Sequence, residues 1–328
     1  MSIQIASVTI DPPVLLAPLA GITDLPFRQI VARFGAGLVV SEMVASQEVV
    51  QAKPAARAKA ELGFGDHATS VQLAGRDPYW MAEAARYAEG QGARIIDINM
   101  GCPAKRVTSS GGNGACGSAL MREPDLALRL IEAVAGAVSV PVTLKMRLGW
   151  DDDSLNAPQI AKLAEGAGIR MVTIHGRTRC QFYKGRADWA AIHAVKDAVA
   201  IPVIANGDIT GVAEAAEARR QSGADGVMIG RGAQGRPWLL AQVAATLHGR
   251  PEPLVPEGAA LADLVVEHYE SMLSFYGTAL GVKVARKHLG WYLDAARAPK
   301  GTVLTAEEPQ QVIRGLHAAF VHQGSLAA

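Results

Sequence analysis

The sequence predicts an α/β fold, a (β/α)8 TIM barrel followed by a small all-α helical domain. Along most of the chain, eight short apolar runs with the character of buried strands alternate with Ala-rich amphipathic stretches. After the Pro-rich segment PEPLVP at 251–256, the strand signals give way to helical spacing. We therefore expect a barrel domain over 1–250 and a helical domain over 251–328.

The predicted strands are almost continuously apolar, which is typical of strands buried on both faces of a barrel wall. A doubly wound open sheet is the alternative, but it would usually carry a glycine-rich dinucleotide turn after its first strand. The first strand here ends in APLAGITD, which is not such a turn. The predicted strands lie at 14–17, 37–40, 70–74, 94–99, 142–146, 171–175, 202–206 and 226–230.

The stretches between the strands place apolar residues at helical spacing and end in glycine, a common stop signal for helices. Beyond residue 257 the pattern predicts about four more helices, interrupted by one strand-like run, TVLT, at 302–305. The helices predicted within the barrel lie at 78–92, 124–137, 158–168, 188–198 and 212–223.

The composition of the 328 residues favours a reducing compartment, because three scattered cysteines do not make a disulfide framework. A net charge of +1 neither requires nor excludes a polyanionic partner. The first residues lack a signal-peptide pattern, and no apolar run is long enough to span a membrane. We expect a cytoplasmic monomer without membrane or metal partners.

Polar and cationic residues follow the predicted strands, at the rim where such barrels carry their active sites. One strand-end histidine or Asn-Gly turn would carry little weight, but this many on one rim argue against coincidence. Together they would form a cationic mouth rich in hydrogen-bonding groups. The residues are Gln72, Asn99, Cys102, Lys145, Arg147, His175, Arg177, Arg179, Asn206, Gly207, Asp208, Gly230 and Arg231.

The last two strands end in NGD and GRG, at the place where barrels commonly bind a phosphate group. Glycine lets the backbone approach a ligand closely, and Arg231 adds a positive charge. Gln72 and Lys145 would lie nearer the barrel centre, where an amide and an ammonium could face the pyrimidine edge of a flavin. The residues therefore favour a phosphorylated planar cofactor, with FMN as the best candidate.

Cys102 stands just past the fourth predicted strand, in the segment NMGCPAKRV. It could be a metal ligand, a buried core thiol, a nucleophile or a general acid. A metal site is disfavoured because no second Cys or His lies at ligand spacing. A thiol is mostly protonated near neutral pH and can still release its proton, so the acid and the other two roles all stay open.

Nine segments carry a family resemblance: APLAGITDLPFR, VQLAGRDP, DINMGCPAKRV, GSALM, VTLKMRLGW, TIHGRTRCQFYKG, IPVIANGDI, GADGVMIGRGAQGRPW and ARKHLGWYL. Together they resemble the bacterial tRNA-dihydrouridine synthases, in particular their B branch. The resemblance covers the chain from about Pro13 to the C-terminal helices. It implies an FMN-binding barrel that uses NADPH to reduce the 5,6 double bond of a uridine in tRNA, at position 17 of the D-loop.

The resemblance also implies roles for individual residues. Cys102 would protonate carbon 5 of the uracil as reduced flavin delivers hydride to carbon 6, with Asn99, Arg147 and Arg177 near the target base. Arg179 would hold RNA from the same loop as Arg177. The flavin contacts would come from Pro18, Leu19, Ala20, Gln72, Lys145, His175, Asn206, Gly207, Asp208, Gly230 and Arg231.

A basic stretch in the helical domain includes Arg286 and Lys287. By itself it is typical of a solvated helix face. With the family resemblance, we expect it to contact the tRNA backbone.

The chain departs from the family pattern after Val107, where TSSGGNGAC at 108–116 reads as a Gly/Ser-rich insertion. This segment would form a lid over the base, and it brings a second thiol, Cys116, close to Cys102 in the sequence. Two other functions stay open: a flavin reductase of a small pyrimidine-like substrate, and a non-catalytic RNA-binding or regulatory protein on the same barrel.

Overall fold

The structure, a computed structural model, describes residues 2–63, 69–109, 114–247, 249 and 252–321. Its centre is a closed barrel of eight parallel strands, which confirms the predicted fold class. These are β3 Val14–Leu16, β4 Leu38–Val40, β6 Thr69–Ala74, β7 Ile95–Met100, β8 Val142–Arg147, β9 Met171–His175, β10 Val203–Asn206 and β11 Gly226–Ile229. The ring closes where β4 pairs with β6, and a two-residue strand, β5 Val44–Ala45, lies further along β6. Each predicted barrel strand is confirmed, to within a residue or two at its ends.

A hairpin that the sequence analysis did not predict seals the N-terminal end of the barrel. Its antiparallel strands are β1 Ile3–Ile5 and β2 Val8–Ile10, whose outer residues are buried and whose middle residues are exposed. The buried side chains pack on the first inward residues of the barrel strands, including Leu15, Met171 and Met228. Strands with only two apolar positions each give too little periodicity to detect. The opposite, C-terminal end of the barrel is therefore the one that can hold a cleft.

Helices surround the barrel, and all five helices predicted within it are found with shifted ends; the stretch at 188–198 begins with a 3₁₀ turn. Asp24 and Asp77 cap helices α1 and α4, because each side chain accepts hydrogen bonds from backbone N–H groups of the first turn. The helices are α1 Leu25–Arg33, α2 Ser46–Val50, α3 Pro54–Ala60, α4 Pro78–Gly90, α5 Lys105–Thr108, α6 Pro124–Ala135, α7 Ala157–Gly166, α8 His193–Ala198, α9 Val212–Ser222 and α10 Leu239–Leu247.

A helical region follows the barrel. Between residues 252 and 321 it contains three helices rather than about four: α11 Gly258–Tyr276, α12 Thr278–Ala295 and α13 Pro309–Val321. The TVLT run forms turns instead of a strand. The three helices share an apolar core that also includes Ile30 of α1 and Trp238, so the helical region is packed onto the barrel.

The predicted domain boundary, between residues 250 and 251, lies outside the described residues. In the described ranges, no helix is long and apolar enough to cross a membrane.

Candidate active site

A cleft of about 680 Å³ opens at the C-terminal end of the barrel. Its volume falls within the range of small-molecule and cofactor sites. The predicted site residues that line it are Pro18, Leu19, Ala20, Gln72, Asn99, Cys102, Lys145, Arg147, His175, Asn206, Gly207, Asp208, Gly230 and Arg231. The cleft thus brings together residues from nearly the whole length of the barrel sequence.

Parallel register explains this convergence. Lys145 on β8 lies beside Asn99 on β7, and His175 on β9 lies beside both Arg147 and Asn206. Residues at the ends of neighbouring parallel strands share one rim, so strand-end positions far apart in sequence become neighbours.

A chain of hydrogen bonds crosses the floor of the cleft. Buried Asp97 accepts from Thr143 Oγ1 and from Gln72 Nε2, each at 2.6 Å. Gln72 Oε1 accepts in turn from Asn99 Nδ2 at 2.7 Å. Burial raises the pKa of Asp97, while these two donors and the neighbouring Lys145 charge favour its ionised form. The amide of Gln72 is therefore held at both ends by its own protein neighbours.

The loop that carries Cys102 is fixed from three sides. Asn99 Oδ1 accepts from the backbone N–H groups of Gly101 at 3.1 Å and Cys102 at 3.0 Å. Ser118 donates to the Cys102 carbonyl through both its N–H and its hydroxyl. Arg147 Nε donates to the Gly101 carbonyl at 2.9 Å. The half-buried thiol is therefore presented to the cleft from an ordered loop.

Lys145 is bonded to another residue of the rim. Its Nζ donates to Asn206 Oδ1 at 2.9 Å. Burial, reinforced by the nearby Arg147 charge, lowers the pKa of Lys145 to about 8. The cleft floor therefore holds an ammonium group whose pKa, about 8, is only a little above neutral pH.

His175 has a buried Nδ1 atom without a hydrogen-bond partner among the described residues. Burial lowers its pKa well below the usual value, and the positive charges of Arg147 and Lys145 lower it further. A neutral imidazole with an unused ring nitrogen is the kind of buried polar group that a ligand can satisfy.

Arg177 lies elsewhere than expected. It is fully buried, and its guanidinium donates to both carboxylate oxygens of Asp208, at 2.9 and 2.6 Å, and to the carbonyls of Lys184 and Gly185. Burial would raise the pKa of Asp208, but the hydrogen bonds from Arg177 and the Ala187 N–H hold it below its usual value. Arg177 therefore braces the turn after β10 and is not free to meet a base.

The two glycine-rich turns lie side by side at the rim. Gly207 has a φ of +115°, and a Cβ atom there would come within 2.8 Å of Ala187 Cβ. At Gly232 a Cβ would come within 2.6 Å of the Ile209 carbonyl. Arg231, which is mostly exposed, stands 3.7 Å from Asp208 across this junction. Only glycine allows the two backbones to approach each other this closely.

Three more predicted substrate residues lie outside the cleft lining. Arg179 donates to Thr108 Oγ1 at 2.9 Å and stacks on Trp150 at 4.7 Å, which places it beside the first residue of the predicted insertion. Arg286 is partly buried on α12. Lys287 donates to the Gly21 carbonyl of the barrel, so its ammonium is bonded to protein rather than presented alone to solvent.

The predicted insertion is described only in part, since residues 110–113 lie outside the described residues. Cys116 is partly exposed beside the Cys102 loop, and burial together with the neighbouring Cys102 raises the pKa of its thiol to about 11. It is therefore a weaker proton donor than an ordinary thiol. In the described part of the chain, no group of three or more His, Cys, Asp or Glu side chains could hold a metal ion.

Sequence reasoning missed four residues that shape the site: Asp97, Thr143, Ser118 and Tyr183. Asp97 and Asn99 are two apart on one strand and so face the same way, a signal that strand alternation could have supplied. Ser118 follows Cys102 by sixteen positions, and the tertiary fold alone brings it to the Cys102 carbonyl. Tyr183 is 49% exposed at the cleft rim, with Arg147 5.6 Å and Arg231 5.4 Å from its ring centre.

Comparisons with known proteins agree with this geometry. A family model described as dihydrouridine synthase matches residues 15–318. A probable tRNA-dihydrouridine synthase of Rhodobacter capsulatus is 62% identical over 323 residues, which is 98% of each chain. The tRNA-dihydrouridine synthase B of Xanthomonas campestris pv. campestris is 50% identical over 294 residues, or 88% of this chain and 86% of that one.

Among solved structures, morphinone reductase in complex with tetrahydroNAD superposes with a TM-score of 0.53 at 15% identity. The match covers 77% of this chain and 91% of the reductase. At this level of identity the likeness concerns the barrel fold alone.

Proposed function

The chain belongs to the dihydrouridine synthase family, and on that premise we propose that it reduces the 5,6 double bond of specific uridines in tRNA with a bound flavin. The observation that carries this proposal is the thiol of Cys102. It is fixed at the cleft by Asn99, Ser118 and Arg147, on the same rim as Lys145 and His175. A proton donor and a cationic floor that share one cleft are what the reduction of an enone requires.

The cleft residues fit FMN. The unpartnered Nδ1 of His175 offers a hydrogen bond, and Arg231 offers a positive charge beside a turn closed to any residue larger than glycine. We assign Pro18, Leu19 and Ala20 to the ring and the turns at Asn206–Asp208 and Gly230–Arg231 to the phosphate side. Lys145 and Gln72 would face the polar ring edge, Gln72 in the orientation set by Asp97 and Asn99.

When bound and reduced, the flavin supplies the hydride that goes to carbon 6 of the uracil. Cys102 Sγ–H gives its proton to carbon 5, so the carbon–carbon double bond becomes single and the thiolate is reprotonated from solvent. The positive charges of Lys145 and Arg147 interact with the Cys102 thiol and would stabilise the thiolate that remains. Cys116 is unsuited to the same role because its raised pKa opposes proton release.

The target uridine must leave its stacked position to enter the cleft. Arg179, at the lid, and Arg286, on α12, are our candidates for contacts with the RNA backbone. We propose position 17 of the D-loop as the target, NADPH as the electron donor, a monomer as the active form and the cytoplasm as the location. The choice of target rests on the resemblance to the B branch of the family, and the similarity to a relative named tRNA-dihydrouridine synthase B supports that branch.

The test compares Cys102→Ser with Cys116→Ser as the matched control. Each purified protein is assayed for bound FMN, for flavin reduction by NADPH without oxygen, and for dihydrouridine formed in unmodified tRNA. We expect both variants to bind and reduce FMN, and only Cys102→Ser to lose tRNA reduction, by about a hundredfold or more.

If Cys102→Ser reduces tRNA as fast as the parent protein, another group supplies the proton. Reduction of free uridine but not tRNA by the parent would favour the small-substrate reductase. A parent that binds tRNA without holding a flavin would favour the RNA-binding alternative.

A further inference from the structure

The loop at 18–24, which we call the cofactor loop, faces two ways. Pro18, Leu19 and Ala20 line the cleft at the start of the loop. The end of the loop, from Gly21 to Asp24, contacts two residues of the helical region. The loop follows strand β3 and leads into α1, and it contains a backbone turn in which the Ile22 and Thr23 N–H groups donate to the Leu19 carbonyl.

Two residues of the helical region hold this loop. Lys287 on α12 donates from Nζ to the carbonyl of Gly21. Tyr276, the last residue of α11, donates from its hydroxyl to Asp24 Oδ2 at 2.9 Å. Both contacts span more than 250 residues of sequence, so the barrel alone cannot make them.

Hydrogen bonds of the loop backbone connect the residues that Lys287 and Tyr276 contact to the cleft. The Leu19 N–H donates to Thr23 Oγ1 at 2.9 Å, and the Gly21 N–H donates to Glu42. Gly21 has a φ of +72°, a conformation that must be held against the alternatives open to glycine. The backbone N–H groups of Ile22 and Thr23 donate to the Leu19 carbonyl at 2.9 and 3.0 Å, so Gly21 lies inside a turn whose first residue, Leu19, is on the cleft wall.

Charge in the neighbourhood adds a small contribution to the lysine contact. Asp24 is buried, and burial raises its pKa, whereas the Lys287 charge acts in the opposite direction. Glu42 lies on the other side of Gly21 and accepts from its N–H. Removal of the Lys287 ammonium would take away the donor to the Gly21 carbonyl and leave buried Arg28 as the cation beside Asp24 and Glu42.

We infer that Lys287 and Tyr276 are positioning residues for the flavin site, which makes the helical region part of the cofactor-binding apparatus as well as a surface for RNA. The inference rests on the proposed function, because it takes FMN as the ligand of the cleft. It assigns Lys287 a different task from the tRNA contact that the family resemblance implied.

The experiment measures FMN affinity by quenching of flavin fluorescence in the cofactor-free full-length protein, and tRNA affinity by gel shift. Lys287→Met is compared with Lys283→Met, which removes the same charge from an exposed position one turn earlier on α12. We expect Lys287→Met to raise the Kd for FMN about tenfold, the size expected for one charge-assisted hydrogen bond. Lys283→Met should leave the Kd for FMN unchanged.

Tyr276→Phe provides a second, milder variant in case Lys287→Met does not fold, and we expect it to raise the Kd for FMN several-fold. Unchanged FMN affinity in both variants, with weaker tRNA binding by Lys287→Met, would overturn the inference and restore the RNA contact. A parent protein that binds no FMN would instead refute the proposed function, and the inference with it. The parent measurement thus separates the two failures.

Discussion

Asp97 sits beneath the cleft with one carboxylate oxygen toward Thr143 and the other toward Gln72. Through Gln72 and Asn99 it is connected to the backbone N–H of Cys102, the residue to which we assign the chemistry. Each member of this chain uses its polar atoms on its neighbours, so the position of the thiol depends on a side chain buried three steps away.

We expect Asp97→Asn to lower the free energy of unfolding by about 1–3 kcal/mol, because an amide nitrogen would face a donor where a carboxylate oxygen accepted before. The loosened chain should also lower kcat/KM for tRNA about tenfold. Urea unfolding and steady-state kinetics measure the two effects. Asp263→Asn, at an exposed position on α11, is the control and should change neither. If Asp97→Asn keeps the stability and the kinetics of the parent protein, this chain of hydrogen bonds does not position Cys102.

Lys145 makes a second residue-scale prediction, about pH. Its pKa is about 8 in the folded protein and about 10.4 in an unfolded chain. Between these values the unfolded chain binds more protons, so this lysine makes stability rise as pH rises through the window. Relative to Lys145→Met, the cofactor-free parent should therefore gain stability between pH 7.5 and pH 10. Urea unfolding at both pH values tests this, and a constant difference between the two proteins would contradict it.

At the scale of elements, the turns after β10 and β11 decide where a phosphate group could sit. The turn after β10 contains two successive residues in the left-handed region, Gly207 and Asp208. Arg177 holds the Asp208 carboxylate, and Trp189 Nε1 donates to the Gly207 carbonyl at 2.8 Å. The turn is thus shaped by β9 and the segment after it, and its sequence alone does not reveal this support.

Gly207→Ala should therefore lower both the stability of the protein and its affinity for FMN. Both the left-handed backbone and the 2.8 Å approach to Ala187 oppose a methyl group, so we expect a loss of about 1–3 kcal/mol or more in stability and a marked loss of FMN affinity. Gly166→Ala is the matched control, since no atom lies within 4 Å of a Cβ there. That helical substitution should leave stability unchanged or raise it by up to about 1 kcal/mol. Equal stability of the two variants would show that the turn relaxes freely.

At the scale of the whole molecule, a buried aromatic cluster joins the helical region to the barrel. Phe27 of α1 stacks on His268 of α11, with 5.8 Å between ring centres, and lies 5.3 Å from His288 of α12. His268 Nδ1 is 3.0 Å from the hydroxyl of Tyr292. The docking that places Lys287 and Tyr276 on the cofactor loop therefore depends on two neutral histidines.

This cluster predicts acid sensitivity. Burial lowers the pKa of His268 to about 3, against about 6.5 in an unfolded chain. Between those values the unfolded chain binds more protons, so the contribution to stability is present above pH 6.5 and is lost as pH falls. For His268 alone the loss at pH 5 is about 2 kcal/mol relative to pH 7.

We expect His268→Gln to be less stable than the parent at pH 7 but to lose less stability on going to pH 5. Glutamine keeps a hydrogen-bonding group for Tyr292 and cannot titrate, so the difference between the proteins reports the histidine. Urea unfolding followed by tryptophan fluorescence provides the measurement. Parallel losses in the two proteins would exclude His268 as the source of the acid sensitivity.

Much of this protein could be predicted from sequence because its signals are local. Buried parallel strands are apolar runs, helices repeat their apolar residues at helical spacing, and strand-end polar residues in a barrel share one rim. These rules located the eight barrel strands and a set of residues of which most line one cleft. They missed the N-terminal hairpin, whose strands are too short to show periodicity.

Only the tertiary structure decided what each polar side chain does. The family resemblance implied that Arg177 lies near the target base and that Lys287 contacts the tRNA backbone. In the structure Arg177 donates to Asp208 and Lys287 donates to the Gly21 carbonyl. The same holds for Asp97 and Ser118, whose importance depends on partners in other elements. The sequence by itself determined the barrel, its rim and the family. A hydrogen bond requires two groups to meet in space. Tertiary packing therefore decided which residues contact a ligand and which residues position those contact residues.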